Sequence, residues 1–126
     1  RDYYASRGLG DVYKRQYLGD AVWELFVREK TTKITENSKK LHKITTENVK
    51  AGFQAILLQK LDEILTEEEH EIARRARNLS IPIGRRHIQA EYRQATAFEA
   101  LIGWWNEKNK NRLNFILEIL EKDLVF

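Results

Sequence analysis

The stretch QATAFEALIGWW, residues 94–105, constrains the fold of this chain more than any other part of the sequence. Its only polar side chains are Gln94, Thr96 and Glu99, so every face of a helix drawn through it is mainly apolar. A helix that is apolar all round is normally buried. A carboxylate buried within it without a partner is costly. The stretch therefore predicts a central helix, in which Glu99 needs a partner.

A second strongly apolar stretch, YLGDAVWELFV, occupies residues 17–27 and is interrupted only by Asp20 and Glu24. These two acids are four residues apart, so they share one face of a helix. If this helix packs against the first one in the core, Asp20 and Glu99 converge at its edge. Close carboxylates repel each other unless a proton or a cation relieves them. The pair favours a cation site, while a structural role stays open, in which each acid caps a helix or pairs with an arginine.

The available ligands limit which cation such a site can hold. The chain has no cysteine, and its three histidines lie far apart in the sequence without zinc-binding spacing. Carboxylate oxygens on their own favour Mg²⁺ or Mn²⁺ over zinc. The absence of cysteine also excludes disulfides and thiolate metal sites, which is typical of a cytosolic protein.

Hydrophobic periodicity elsewhere predicts an all-α fold of one domain, with five helices and no strand. The 126 residues suffice for a sizeable core but not for two domains. No apolar run reaches the roughly 18 residues of a membrane span, and the N-terminus lacks the pattern of a secretory signal. The predicted helices cover residues 17–30, 38–64 with a break near Gly52, 67–77 after a capping box that begins at Thr66, a stretch from about Ala90, and residues 113–124.

Charge is distributed unevenly along the chain. Residues 28–50 contain seven lysines and arginines against three acids, and residues 72–93 contain six arginines against one acid. Residues 60–71, which lie between these blocks, contain six acids and one lysine. The second basic block includes residues 78–89, which contain the only proline and are predicted to form a loop. Two such blocks indicate a polyanionic partner, with ordinary solvated helix surface as the alternative.

The N-terminal segment, residues 1–16, has no apolar period. The tripeptide LGD at residues 9–11 recurs at residues 18–20, but nothing around the two copies extends the repeat. We therefore divide the chain into this poorly matching segment, which we expect not to be native to the domain, and a domain of residues 17–126.

Motifs in this domain resemble the nuclease domain of the ribonuclease III family. YLGDAV, residues 17–22, is similar to the signature motif of the family, and FEALIG, residues 98–103, is similar to its second acidic motif. More narrowly, the chain resembles Mini-ribonuclease III, the bacterial form without a separate domain for binding double-stranded RNA. The supporting stretches are KLHK at residues 40–43, RARN at 75–78, YR at 92–93 and ATAFEA at 95–100.

The resemblance implies the all-helical, homodimeric fold of a ribonuclease III endonuclease domain, which cuts double-stranded RNA with Mg²⁺; Mn²⁺ is expected to substitute. Asp20 and Glu99 match the catalytic, metal-binding carboxylates of the family. Glu24 and Thr96 are candidates to assist the metal through water. The family has Glu where this chain has Gln16, and Asp where it has Thr96, although Thr is typical of the Mini subgroup. With fewer acids, the site is expected to hold its metal more weakly.

The family's chemistry is in-line attack of an activated water on a backbone phosphodiester, which leaves 5′-phosphate and 3′-hydroxyl ends. A dimer would place two sites across the duplex, with Tyr17 and Trp23 as interface candidates and the intrachain core as the alternative for Trp23. The expected substrate is precursor large-subunit ribosomal RNA in the cytoplasm, without membrane association. The candidate RNA-binding residues are Lys40, His42, Lys43, Arg75, Arg77, Asn78, Arg85, Arg86 and Arg93.

A second function stays open on the same fold. Nuclease domains of this family can lose acids and persist as RNA-binding or ribosome-assembly modules, and the missing upstream acid at Gln16 is the feature that keeps this alternative. A helical DNA-binding regulator is disfavoured because it leaves two core acids unexplained. Cleavage of an RNA duplex in Mg²⁺, and its loss in EDTA, would separate the nuclease from both.

Overall fold

The computed structural model describes residues 2–79 and 89–126, and in these ranges the chain forms helices and no strand. The predicted all-α fold is confirmed. None of these helices is both long and apolar enough to cross a membrane. The α-helices are α1 (Asp2–Thr31), α2 (Ser38–Val49), α3 (Ala51–Leu61), α4 (Glu67–Arg77), α5 (Gln89–Lys108) and α6 (Lys110–Glu121), with one 3-10 turn at Asp62–Ile64.

Some helix boundaries differ from the predictions. Helix α1 begins at Asp2, not at residue 17, and Val12, which precedes the predicted start, is only 6% exposed. Residues 38–64 form α2, α3 and the 3-10 turn, since Lys50 adopts an extended conformation with ψ of 155° and interrupts the helical hydrogen bonds. The break is therefore near Gly52, as predicted, and lies two residues before it. Whether residues 1–16 are native to the domain stays a prediction.

Helix α5 is the centre of the fold, as its apolar sequence predicts. Its residues from 95 to 105 are buried except Glu99 and Trp104, which are half-buried. Helix α1 lies across it with Trp23 fully buried, and the Trp23 ring meets Phe98 edge-on, with centroids 5.1 Å apart. Trp23 is thus a core residue, and its assignment to a dimer interface is wrong because the side chain has no surface to offer a partner.

Two glycines allow the backbones of α1 and α5 to touch. A Cβ atom added to Gly19 would lie 1.7 Å from the carbonyl oxygen of Glu99, and one added to Gly103 would lie 2.0 Å from that of Arg15. Neither distance can be relieved by moving a side chain, since both obstacles are main-chain atoms. Only glycine fits at these two positions, and the crossing point of the helices is fixed by them.

A buried carboxylate joins α4 to α5 and α6. Glu69, 3% exposed, accepts hydrogen bonds from the Trp105 Nε1 at 2.7 Å and from the Arg112 Nε at 3.0 Å. It also completes the predicted capping box with Thr66. Burial raises the pKa of Glu69, but the bonds from Arg112, Thr66 and Trp105 together hold it below its usual value. This glutamate is ionised and fully paired.

The end of the chain is tied to α2 by an asparagine with no exposed surface. The Asn48 Nδ2 donates to the Val125 carbonyl at 2.7 Å, and the Asn48 Oδ1 accepts from the Val125 amide at 2.8 Å. The Asn48 carbonyl in turn accepts from the Trp23 Nε1 at 2.9 Å. One residue therefore connects α1, α2 and the C-terminal tail.

Glu69→Gln should destabilise the protein by roughly 1–3 kcal/mol, because it leaves the partly buried Arg112 without a counter-charge. The lowered pKa of Glu69 contributes stability above the carboxyl's unfolded pKa of 4.5, and this contribution is lost as pH falls. The free energy of unfolding from urea titrations at pH 7 measures the effect. Glu71→Gln is the matched control, since Glu71 forms exposed ion pairs that contribute little. Equal losses in both variants would contradict the assignment.

Candidate active site

The helix crossing brings two acidic side chains together, as the sequence predicts. Asp20 follows Gly19 directly, and Gly19 lies against the main chain of Glu99. The two carboxyl groups share a hydrogen bond, with Asp20 exposed to solvent and Glu99 half-buried. The alternative role, in which an arginine pairs with each acid, is not observed. Among the described residues, no arginine or lysine forms an ion pair with Asp20 or Glu99.

The electrostatics of this pair are unfavourable for two negative charges. Burial, the charge of Asp20 and the shared hydrogen bond raise the pKa of Glu99 to about 8, although hydrogen bonds from Gln54 and Gln16 act in the opposite direction. At neutral pH and without a cation, the pair therefore retains a proton. A cation that replaced this proton would relieve the repulsion and ionise both acids.

The acid pair opens into a cleft of about 480 Å³ on the exposed face of α1. Tyr17, which is 79% exposed, stands at its edge and also borders the next cleft along the helix. That second cleft, of about 440 Å³, contains Asp20, Glu24 and Arg28. The two clefts form a continuous groove along α1, which we call the α1 groove.

The two residues expected to assist the metal lie close to the pair but differ in their contacts. Glu24 is one turn from Asp20 and forms an ion pair with Arg28 at 2.6 Å. Thr96 is one turn before Glu99 and is 4% exposed; its hydroxyl accepts from the Gln16 Nε2 at 3.5 Å. Gln16 thus stands beside both Thr96 and Glu99. Their roles toward a metal stay predictions.

One residue of the site was missed by the sequence reasoning. Gln54 on α3 is 1% exposed, and its Nε2 donates to the Glu99 Oε2 at 3.3 Å. The only signal in the sequence was an amide within the otherwise apolar stretch AGFQAILL, residues 51–58. An isolated amide does not indicate which residue it contacts, and Gln54 and Glu99 are 45 residues apart in the sequence.

The donor set fits a hard divalent cation. No group of three or more His, Cys, Asp or Glu side chains assembles at this site or elsewhere in residues 2–79 and 89–126. Asp20 and Glu99 would therefore be its two charged ligands. Mg²⁺ is commonly bound by one or two carboxylates, with waters and substrate phosphates completing its coordination. The raised pKa of Glu99 fits the same conclusion, since burial and the charge of Asp20 disfavour a second negative charge there.

Three of the candidate RNA-binding residues, His42, Arg77 and Arg93, line cavities near the α1 groove. Lys40, His42 and Lys43 are exposed on α2, and His42 shares a cavity of about 230 Å³ with Arg28. Arg77 and Arg93 line a small cavity with Gln16 and Thr96, close to the acid pair. Arg93 also donates to the Arg77 carbonyl at the end of α4. Asn78 is exposed there, Arg75 is ion-paired with Glu71, and Arg85 and Arg86 lie outside the described residues.

Comparisons with known proteins all find members of the same family. A family model described as the ribonuclease III domain matches residues 15–109. A Mini-ribonuclease 3 of Gloeobacter violaceus is 42% identical over 106 residues, covering 84% of this chain and 78% of that protein. A Mini-ribonuclease 3-like protein of Ilyobacter polytropus is 47% identical over 91 residues, covering 68% of each.

A solved structure has the same fold. The crystal structure of a Fusobacterium nucleatum protein superposes with a TM-score of 0.76 at 33% identity, and the match covers 87% of this chain and 90% of that one. The helical architecture described above is therefore shared with an experimentally determined relative.

The raised pKa of Glu99 predicts a pH-dependent stability in metal-free buffer. The contribution is fully present below the unfolded pKa of 4.5 and is lost as pH rises through about 8. Glu99→Gln removes it, so the variant should gain more than about 1 kcal/mol on the wild type between pH 5 and pH 8. Urea titrations in EDTA at both pH values measure this difference.

Glu107→Gln, near the exposed end of the same helix, is the control and should differ from the wild type by the same amount at both pH values. If the difference for Glu99→Gln is also constant with pH, Glu99 is ionised throughout and the repulsion described above is absent.

Proposed function

The chain belongs to the ribonuclease III family of endoribonucleases, and we propose that it cleaves double-stranded RNA with Mg²⁺ as cofactor. The observation that carries this proposal is the contact between the carboxyl groups of Asp20 and Glu99, neither of which forms an ion pair with a basic side chain in residues 2–79 and 89–126. Mn²⁺, which has the same preference for oxygen ligands, is expected to substitute. Relatives that carry the name Mini-ribonuclease 3 support the assignment.

In the proposed mechanism, Asp20 and Glu99 hold the cofactor at the edge of the α1 groove. Bound Mg²⁺ supplies the positive charge that activates a water and stabilises the charge developing on the phosphodiester. Asp20, being exposed, lies where a substrate phosphate can approach. Glu99 lies deeper, where burial strengthens its attraction for a cation. The products would carry 5′-phosphate and 3′-hydroxyl ends.

RNA is proposed to reach the acid pair at one end of the α1 groove, because Tyr17 and Leu25, which also line the groove, are assigned below to the dimer interface. Duplex RNA is recognised mainly by shape, through phosphates and 2′-hydroxyl groups. Arg77 and Arg93 lie near the acid pair, His42 shares a cavity with Arg28, and Lys40 and Lys43 are exposed on the same helix as His42. Cationic side chains are thus available to hold the backbone while the carboxylates hold the cofactor.

A homodimer is proposed through the exposed apolar face of α1. Tyr17, Leu18 and Leu25 are 79%, 47% and 58% exposed in the single chain, although they belong to a helix that packs on the core. An apolar face of this kind marks a protein interface. The dimer would present one site to each RNA strand, with a short 3′ overhang after cleavage.

The physiological substrate is proposed to be precursor large-subunit ribosomal RNA in the cytoplasm. A second candidate function, an RNA-binding module of ribosome assembly with impaired catalysis, is favoured by one observation: the described residues supply only two carboxylates to the site. The two functions differ in a single measurable property, which is Mg²⁺-dependent cleavage.

Asp20→Asn tests the proposal. It should lower the rate of cleavage of a labelled RNA duplex in Mg²⁺ by more than about 100-fold, since even a residue that only supports a metal ligand contributes 10–100-fold. Duplex binding, measured by gel shift in EDTA, should persist because the basic side chains are unchanged. Asp62→Asn is the matched control, because the Asp62 side chain is 72% exposed and lies outside the α1 groove. A wild type that binds the duplex but never cuts it would favour the binding module.

A further inference from the structure

A buried amide on a third helix reaches the acid pair. Gln54 is 1% exposed, and the buried leucines that follow it on α3 are Leu57, Leu58 and Leu61. Burying an amide in such surroundings is unfavourable unless it is hydrogen-bonded. Its Nε2 donates to the Glu99 Oε2 at 3.3 Å, so the contact gives the amide NH₂ group an acceptor and holds one oxygen of the carboxylate at the same time.

The chemistry of an amide suits this position better than that of a charged or an apolar side chain. Lysine or arginine would neutralise Glu99 and compete with a cation. An apolar side chain would leave the Glu99 oxygen on this side without a donor. The NH₂ group of glutamine orients the carboxylate and carries no net charge, so the negative charge of the pair stays available to a cation.

The fold holds Gln54 in place from two directions. At the start of α3, a Cβ atom on Gly52 would lie 3.3 Å from the Glu91 carboxylate, so a side chain of α5 reaches across to α3 there. At the junction of α2 and α3, the Asn48 carbonyl accepts from the Trp23 Nε1 at 2.9 Å.

Trp23 connects α1 to α5 and to the end of α2, which leads into α3. It lies three residues after Asp20 on α1, its ring meets Phe98 beside Glu99 on α5, and its indole donates to the carbonyl of Asn48, three residues before α3 begins. A core residue therefore holds together the crossing of α1 and α5 that brings Asp20 to Glu99, and the end of α2 from which α3 continues.

We propose that Gln54 is a positioning residue, whose buried amide holds the Glu99 carboxylate beside Asp20 in the geometry that binds the divalent cation. This inference rests on the proposed function for the identity of the cofactor. It adds a residue from α3 to a site that the sequence motifs confine to α1 and α5. Gln16 also contacts Glu99, but it is more exposed, and its bond to Thr96 is long at 3.5 Å.

The test uses one variant that keeps the size of the side chain and another that keeps its amide. Gln54→Met removes the donor and fills the same space, and Gln54→Asn keeps an amide but withdraws it by one methylene group. Gln59→Met is the matched control, since Gln59 is exposed on the same helix and lines a different groove. Mn²⁺ binding is measured without RNA, from the electron paramagnetic resonance signal of the free ion. Duplex cleavage is then measured at saturating Mg²⁺.

Both Gln54 variants should bind Mn²⁺ about 10–100-fold more weakly than the wild type, which is the usual effect of removing a group that orients a metal ligand. Their kcat should fall while the KM for the duplex stays within about twofold, because the groups that bind RNA phosphates are untouched. Gln59→Met should match the wild type in all three quantities.

A structural role alone predicts lower melting temperatures with unchanged Mn²⁺ affinity and kcat in the folded protein, and that result would overturn the proposal. Either Gln54 variant suffices if the other fails to fold. The proposed function fails separately: a wild type that binds Mn²⁺ without cutting RNA refutes nuclease activity, while weaker Mn²⁺ binding by the variants still supports the positioning role. A wild type that binds no Mn²⁺ overturns both.

Discussion

The contact between the backbone of α1 at Gly19 and the carbonyl of Glu99 determines the rest of this structure. With no side chain to separate them, the two helices meet main chain to main chain, and the hypothetical Cβ distance of 1.7 Å shows how little room there is. The side chains next to this contact therefore also lie close together. Asp20 meets Glu99 because the helices cross where they do, and the cleft around the pair lies on the face of α1 that the crossing leaves open.

Two glutamates, one buried and one half-buried, have different roles: Glu69 stabilises the fold, and Glu99 belongs to the candidate active site. Glu69 is surrounded by donors from Thr66, Trp105 and Arg112, and its pKa is lowered despite burial. Glu99 faces another acid and two neutral amides, and its pKa is raised. The carboxylate of Glu69 has its ionic partner, Arg112, within the folded chain and connects three helices. The carboxylate of Glu99 has no ionic partner among the described residues, as expected of a group that must bind a ligand.

The sequence predicts those parts of the structure that depend on local pattern. The all-round apolar character of residues 94–105 predicts the central helix, and the acids within two such helices predict the pairing of Asp20 with Glu99. The break between α2 and α3 was predicted near Gly52 and lies two residues before it, at Lys50, because the composition marks a glycine but not an extended lysine. The location of Trp23 was ambiguous, since the sequence pattern of an apolar residue is the same in a core and at an interface.

Gln54 could not be predicted, because its partner is far away in sequence and a single amide has no periodicity. Finding it requires the packing of α3 on α5, which no local pattern encodes. The same holds for Arg112, whose bond to Glu69 spans 43 residues. Local rules thus locate the acids, whereas the groups that orient them emerge only from tertiary contacts.

The tie between Asn48 and Val125 has a consequence for how the protein is made. A ribosome synthesises α1 to α5 before it reaches residue 125, and a domain generally folds as a unit. Until residue 125 is available, the Asn48 Oδ1 has no Val125 amide to accept from, although it belongs to a side chain with no exposed surface in the finished fold. The junction next to Trp23 therefore needs the segment after α6, and a chain that has made only its central helices leaves a buried asparagine without its partner.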